Sequence, residues 1–246
     1  MYIDILIHNI FLKNTLLMTQ KYTIIFDLDG TLVDTAPDLM GAHNHVMKKY
    51  GYPTKSTADI RNLVGQGAGA MIGRSIWGHA KKEFGKIIDQ KIKSEMVKDF
   101  VSFYAKNIIN ESTLINGVRE FLKWCKERSI SMAVCTNKQE HLAIDLLKKI
   151  GIYDYFECVA GSDTFDYCKP DPRHITNIIE ILSGDIKKSL MIGDSETDAN
   201  AAKAANVPVI LLENGYTEKN TNEIYHNHLI KDFVGIEKIV STYLKD

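Results

Sequence analysis

A short apolar run near the start of the chain ends abruptly in acidic and glycine residues. The run from Tyr22 to Phe26 is β-branched and aromatic, and Asp27 follows it directly, with Gly30 close behind. This pattern predicts a buried strand that leads into a loop. Four further short apolar runs predict strands of the same kind: Ile130 to Cys135, Phe156 to Val159, Leu190 to Ile192 and Val207 to Leu212.

Helical patterns separate most of these predicted strands. Apolar side chains recur at helical spacing at Val118, Phe121, Leu122 and Cys125, and less regularly over residues 142–147. Strands that alternate with helices are typical of a parallel sheet with helices on both faces. The pattern therefore predicts an α/β fold with a Rossmann-like parallel sheet.

The stretch from residue 35 to residue 116 differs from the rest of the chain. It has helical periodicity, no convincing strand, and a glycine-rich loop from Gly65 to Gly69. We expect residues 35–116 to form an inserted α-helical cap domain, and residues 19–34 and 117–246 to form the core. The two connections between these parts would act as a hinge, and a hinged lid can exclude water from a reaction.

The first eighteen residues are apolar but interrupted. Asp4, His8 and Lys13 break a run that would need roughly 20 apolar residues to span a bilayer. The segment also lacks the basic start of a secretory signal. We expect residues 1–18 to be an extension outside the functional domain, with Met18 as an alternative start. The other interpretation is an amphipathic segment that docks on the body of the protein.

Composition and charge narrow the classes of partner. The 246 residues are 45% hydrophobic and 25% charged, as in ordinary globular proteins. Thirty basic and 31 acidic residues nearly cancel, which argues against a broad surface for nucleic acid or an anionic membrane. The four cysteines lack CxxC spacing and are expected to be reduced thiols in a cytoplasmic protein. We expect a small-molecule partner and either a monomer or a homodimer.

Polar residues follow the predicted strands where ligands bind in an open parallel sheet, outside the carboxyl ends of the strands. Four carboxylates at one edge would each carry a desolvation cost of several kcal/mol unless a cation offset it. Each motif alone has an ordinary explanation as a turn, a helix cap or a surface group. The combination predicts a site for a metal ion and a phosphate, built from Asp27, Asp29, Thr136, Asn137, Lys169, Asp194 and Asp198.

These segments resemble, in order, the four motifs of the haloacid dehalogenase superfamily: DLDGTL, CTN, KP and GDSETD. The resemblance covers nearly everything from Tyr22 to the C-terminal helix. The segments DLDGTLVDTAPDL and VGQGA are most similar to the phosphoglycolate phosphatase branch of that superfamily.

The resemblance implies roles for five residues and a Mg²⁺ cofactor. Asp27 would attack phosphorus, and Asp29 would protonate the leaving oxygen and later deprotonate the attacking water. Lys169 would offset the negative charge of Asp27 and the phosphoryl group. Mg²⁺ would be held by Asp27, Asp194 and the backbone carbonyl of Asp29, while Asp198 would support the lysine.

Further contacts are implied around the phosphate and on the cap. Phosphate oxygens would be bound by three loop residues: Thr136, Asn137 and Gly30. Gly67, Ala68 and Arg74 are candidate substrate contacts on the cap, the alternatives being a flexible helix connection and a surface arginine. We expect His43 and His45 to occupy solvated helix positions, the alternative being an approach to the substrate.

The function implied by the resemblance is a Mg²⁺-dependent phosphatase of a small phosphorylated metabolite, with phosphoglycolate favoured. A dehalogenase would share the nucleophile but would not need the acid/base at Asp29. A phosphosugar mutase of the β-phosphoglucomutase type would keep the core motifs and differ mainly in its cap. A non-catalytic binding protein on the same scaffold is the third alternative, and the intact core residues argue against it.

Overall fold

The structure is a computed structural model of the 246-residue chain. It describes residues 21–244 other than 57, 58, 60–62, 64–66, 84–89 and 218, and it leaves out the side chains of residues 77–83. The extension predicted for residues 1–18 and the start of the glycine-rich loop lie outside the described residues.

The described residues form an alternating series of strands and helices. The strands are β1 (Thr23–Phe26), β2 (Val33–Asp34), β3 (Thr113–Leu114), β4 (Ser131–Cys135), β5 (Cys158–Ala160), β6 (Ser189–Gly193), β7 (Val209–Leu212) and β8 (His228–Ile230). The α-helices are α1 (Ala36–Lys49), α2 (Ala68–Glu83), α3 (Gln90–Lys106), α4 (Val118–Glu127), α5 (Glu140–Ile150), α6 (Arg173–Ile181), α7 (Glu196–Ala204) and α8 (Glu237–Tyr243).

Six of these strands form one parallel sheet in the order β5-β4-β1-β6-β7-β8. The sheet confirms the predicted α/β fold with a Rossmann-like core. Strand β1 lies between β4 and β6, so the residues that follow β1 leave from the middle of the carboxyl edge. That position surrounds Asp27 with the loops of both neighbouring strands.

Side chains along β1 alternate between two apolar cores, one on each face of the sheet. Ile24 and Phe26 belong to the larger core, whereas Ile25 belongs to the smaller one. Phe26 is fully buried, and its ring packs edge-on against Phe121 and Phe156. Burying a side chain of this kind stabilises the fold by about 1.5–3 kcal/mol. The rigid centre of the sheet therefore fixes where Asp27 emerges.

The helices α1, α2 and α3 form the inserted cap, and two short paired strands connect it to the core. Strand β2 enters the cap and β3 leaves it, and they pair antiparallel with Asp34 opposite Thr113. The two connections between the cap and the core are thus hydrogen-bonded to each other. The exact boundaries at residues 34/35 and 116/117 stay a prediction. None of the described helices has the length and apolar character needed to cross a bilayer.

The two cap histidines differ in their surroundings. The prediction that His43 is solvated is wrong, because this residue lies on the buried face of α1 with Leu39 and Val46. Its Nε2 atom lies 2.8 Å from Oγ of Ser75, and burial lowers the pKa of the ring. His45 is exposed, as predicted.

Candidate active site

The loops that follow neighbouring strands bring the candidate residues together. Asp27 follows β1, Thr136 follows β4, and Asp194 follows β6. Because adjacent parallel strands end at the same edge of a sheet, these three side chains belong to one site. Lys169 reaches the site from the loop that precedes α6.

Lys169 bridges two carboxylates. Its ammonium nitrogen lies 2.7 Å from Oδ1 of Asp27 and 2.6 Å from Oδ1 of Asp198, and the residue is only 3% exposed. The other carboxylate oxygen of Asp198 accepts hydrogen bonds from the backbone amides of Asp194 and Ser195 and from the Ser195 hydroxyl. Asp198 therefore connects the lysine to the loop that carries Asp194.

The start of α7 explains the orientation of Asp198. Ser195 is the N-cap residue and Asp198 the third helical residue, and their reciprocal hydrogen bonds form a capping box. An acidic side chain is favourable there because the helix dipole places partial positive charge at the N-terminus. The same capping box leaves Oδ1 of Asp198 available for Lys169.

Burial dominates the electrostatics of this cluster. Burial raises the pKa of Asp27 to about 7, although Lys169 acts to lower it. The pKa of Asp194 is also well above its usual range, because of burial and the nearby carboxylates of Asp27 and Asp198. For Lys169, burial acts to lower the pKa, but Asp198 and Asp27 hold it above its usual value. Three buried carboxylates, those of Asp27, Asp194 and Asp198, therefore share the positive charge of one lysine, Lys169.

This excess of negative charge suits a divalent cation. Asp27, Asp194 and Asp198 each present an oxygen, and these three atoms lie within 4.8 Å of one another. Carboxylate oxygens are the ligands preferred by hard cations such as Mg²⁺. Both oxygens of Asp198 already accept hydrogen bonds, which leaves Asp27 and Asp194 as the better-placed carboxylate ligands. A cation there would favour the ionised form of both.

The carboxylate of Asp29 is held by two neighbours on the same side of the site. It accepts a 2.6 Å hydrogen bond from the Thr35 hydroxyl and two from the ammonium group of Lys138, at 2.7 and 2.9 Å. The Lys138 nitrogen also lies 4.5 Å from the ring centroid of Tyr104, a residue of cap helix α3. Asp27 and Asp29 line the same cavity.

The predicted phosphate-binding residues fall into two groups. Thr136 and Asn137 line the cavity, and the Asn137 amide donates to the backbone carbonyl of Lys169 at 2.9 Å. Gly30 does not line it. Instead Gly30 has a positive φ of 86° and packs against Asp194, so its lack of a side chain makes room for that carboxylate.

The cavity has a volume of about 290 Å³ and lies between the carboxyl edge of the sheet and the cap. Gly67 and Ala68 line it, as expected for candidate substrate contacts. Arg74 is not among the described residues that line it, and its guanidinium group donates to the backbone carbonyl of Leu63. The structure therefore brings two of the three cap candidates to the cavity.

Three residues that contact the site had no predicted role in it. Lys138 directly follows the Thr-Asn pair, and that adjacency was the available signal. Tyr216 donates its backbone amide to Asp194 and its hydroxyl to Asp34, both at 2.6 Å. Tyr104 gave no signal, because its approach to Lys138 depends on how the cap packs on the core.

A parallel α/β sheet with an acidic cluster and a lysine at its carboxyl edge is typical of one class of hydrolases, and comparison with known proteins identifies that class. Residues 24–212 match the haloacid dehalogenase-like hydrolase family, and the chain belongs to that family. Phosphoglycolate phosphatases from Mesorhizobium japonicum and Agrobacterium fabrum are 38% and 40% identical, covering 85% and 88% of this chain and 90% and 93% of theirs.

A solved structure supports the same classification. The crystal structure of a predicted phosphoglycolate phosphatase from Haemophilus somnus superposes with a TM-score of 0.84 at 30% identity, covering 90% of this chain and 99% of that one. This chain is therefore a hydrolase of phosphoric monoesters, and the expectation of an enzyme acting on small phosphate esters is confirmed.

Proposed function

We propose that this enzyme is a Mg²⁺-dependent phosphatase that hydrolyses phosphoglycolate through a phosphorylated Asp27. The observation that carries the proposal is the contact of Asp27 with Lys169 at the centre of the carboxyl edge, beside Asp194. A cytoplasmic location, expected from the cysteine pattern, belongs to the same proposal.

In the first half of the reaction, a carboxylate oxygen of Asp27 forms a bond to phosphorus. The bond between phosphorus and the ester oxygen breaks, and Asp29 donates a proton to that leaving oxygen. Splitting a slow hydrolysis into two steps is the benefit of a covalent intermediate. Lys169, 2.7 Å from Asp27, offsets negative charge on the nucleophile and the transferring group.

In the second half, water replaces the alcohol. Asp29 takes a proton from water, whose oxygen bonds to phosphorus while the bond from phosphorus to Asp27 breaks. Inorganic phosphate leaves, and Asp27 is again a carboxylate. Thr136 and Asn137 line the cavity where the phosphate oxygens would lie. Hydrogen bonds from such fixed groups stabilise charge that develops during transfer.

Mg²⁺ would be held by the carboxylates of Asp27 and Asp194 and by the backbone carbonyl of Asp29. Mg²⁺ bound there would supply positive charge between an anionic nucleophile and an anionic substrate. Asp198 does not need to ligate the ion, since its oxygens hold Lys169 and the loop of Asp194.

A phosphosugar mutase of the β-phosphoglucomutase type is the second candidate, because it would use the same core residues. The largely apolar cap wall formed by the described residues offers few partners for the hydroxyl groups of a sugar, which favours a small leaving group. The relatives named as phosphoglycolate phosphatases cover most of the chain, including the cap.

The test is a phosphate-release assay on the full chain after removal of metal by EDTA. Phosphoglycolate, sugar phosphates and nucleotides are each assayed with and without added Mg²⁺. We expect fast release from phosphoglycolate that depends on Mg²⁺. Equal rates without a divalent ion would contradict the metal proposal, and faster release from another ester would contradict the substrate.

A second assay separates the hydrolase from the mutase. A sugar monophosphate is incubated with the matching bisphosphate, and the products are resolved. Free phosphate with no isomer supports the proposal. An isomerised sugar phosphate formed without net phosphate release would overturn it.

A further inference from the structure

The cavity contains a positive charge that phosphoryl transfer does not use. Among the described residues that line it, the cations are Lys138 and Lys169. Lys169 is held between Asp27 and Asp198. Lys138 lies apart from that pair, and its side chain is only 6% exposed. Burying a charged lysine costs free energy, so a lysine in a ligand cavity indicates a role in binding.

Tyr104 adds a second polar group at the same place. It projects from α3, is 1% exposed and lines the cavity. Its hydroxyl is buried and has no hydrogen-bond partner among the described residues. Leaving a buried hydroxyl without a partner costs free energy, which a ligand that bonds to it would recover. The Lys138 ammonium lies over the ring of Tyr104, so the two groups face one region of the cavity.

The rest of the cap wall formed by the described residues is apolar. The described cap residues with large side chains that line the cavity, apart from Tyr104, are Leu39, Met71, Val97, Phe100 and Val101. A charged substituent on the leaving group would find no counterion on that wall. Lys138 is therefore the cation available to such a substituent.

The position of Lys138 also limits how far the substituent can lie from the ester. Its nitrogen is 2.7 and 2.9 Å from the two oxygens of Asp29, the proposed acid for the leaving oxygen. A cation beside the acid is close to the leaving oxygen. A carboxylate carried by the adjacent carbon is two bonds from that oxygen and falls within reach. Leaving groups with a longer chain place their charge further away.

We propose that Lys138, together with the hydroxyl of Tyr104, binds a carboxylate carried one carbon from the ester oxygen of the substrate. On substrate binding, the ammonium group of Lys138 exchanges the carboxylate of Asp29 for that of the substrate. Asp29, freed from the ammonium group and protonated from solvent, then donates a hydrogen bond to the leaving oxygen. This inference rests on the proposed phosphatase function and adds the residues that select the substrate.

The test compares two esters of equal length that differ in charge. Phosphoglycolate carries the carboxylate, and 2-hydroxyethyl phosphate replaces it with an uncharged alcohol. We measure kcat/KM for both with the full chain, with Lys138→Met, which keeps an unbranched apolar side chain, and with the surface control Lys149→Met. The ratio of kcat/KM for the two esters reports recognition of the carboxylate.

The unmodified protein and Lys149→Met should share a ratio that strongly favours phosphoglycolate. In Lys138→Met that ratio should fall by about tenfold to a hundredfold, the usual effect of losing a hydrogen bond to a charged group. An equal fall for both esters, or an unchanged ratio, would overturn the inference while leaving the phosphatase function intact. Absence of release from every ester in the unmodified protein would instead overturn the proposed function.

Tyr104→Phe gives a second route that does not depend on the folding of Lys138→Met. It keeps the ring beneath Lys138 and removes only the hydroxyl. The same ratio should fall by about fivefold to tenfold, as expected for one uncharged donor. A ratio equal to that of the unmodified protein would remove Tyr104 from the inference.

Discussion

Gly30 lies so close to Asp194 that a Cβ atom on Gly30 would stand 2.2 Å from Oδ2 of that carboxylate. The backbone of Gly30 has a positive φ of 86°, which residues other than glycine rarely adopt. The glycine of the first motif therefore shapes the proposed metal site from outside the cavity.

Gly30→Ala should weaken metal binding by displacing Asp194. We expect the Mg²⁺ concentration for half-maximal phosphate release to rise by about tenfold or more, as with other losses of support around a metal ligand. The matched control is Gly41→Ala on α1, where a Cβ would meet no atom within 4 Å. If both variants show the same Mg²⁺ dependence as the unmodified protein, Gly30 does not position Asp194.

Asp27→Asn should abolish phosphate release, since an amide cannot serve as the nucleophile. We expect a fall in kcat of at least about 10⁴-fold, a scale typical of removing a nucleophile. The unfolding transition should remain near native because the shape of the side chain is kept. Turnover that still requires Mg²⁺ in this variant would show that another group attacks phosphorus.

Asp198→Ala should strongly destabilise the fold. It removes one of the two carboxylates that contact the ammonium group of Lys169, and the loss of a buried hydrogen bond to a charged group costs about 1.5–3 kcal/mol. The matched control is Asp145→Ala, which breaks an exposed Lys–Asp pair on α5 and should cost no more than about 0.5 kcal/mol. Urea unfolding in the presence of EDTA measures both, and similar losses would contradict the structural role of Asp198.

Burial of His174 predicts a dependence of stability on pH. Burial lowers the pKa of this ring to about 4, with Lys169 acting in the same direction and Asp171 opposing. Below the unfolded pKa, about 6.5, the unfolded chain binds a proton that the native protein does not. Stability should therefore fall by on the order of 3 kcal/mol as pH drops from 6.5 to 4, and no further from this group below pH 4.

His174→Gln isolates that contribution. The free energy of unfolding, measured by urea titration across this pH range, should fall less steeply in the variant than in the unmodified protein. Parallel profiles in the two proteins would mean that His174 does not titrate as its surroundings imply.

The strands were predictable where an apolar run ends sharply in polar residues. The run from Tyr22 to Phe26 contains β1, and its boundary at Asp27 is correct. Strand β8 was missed because it spans three residues at the edge of the sheet, where His228 and Leu229 are only half-buried. The two-residue strands β2 and β3 carry too little pattern to be recognised in a sequence.

One topological rule predicted which residues cluster at the site, but it did not predict the individual side-chain contacts. Asp27, Asp194 and Lys169 were expected together because ligands bind at the carboxyl edge of a parallel sheet. The pairing of Lys138 with Asp29 depends on rotamers, and the approach of Tyr104 depends on packing between the cap and the core. Such contacts arise between residues far apart in the chain and leave no periodic signal.

The pairing of Asp34 with Thr113 gives the cap an unusual place in the topology. In an ordinary β-hairpin, a tight two-residue turn connects two residues that are paired in this way. The whole of α1, α2 and α3 thus stands where the tip of a β-hairpin would be. A turn as short as Asn-Gly would be long enough to connect the two strands, so the path of the chain through the sheet does not depend on the length of the cap.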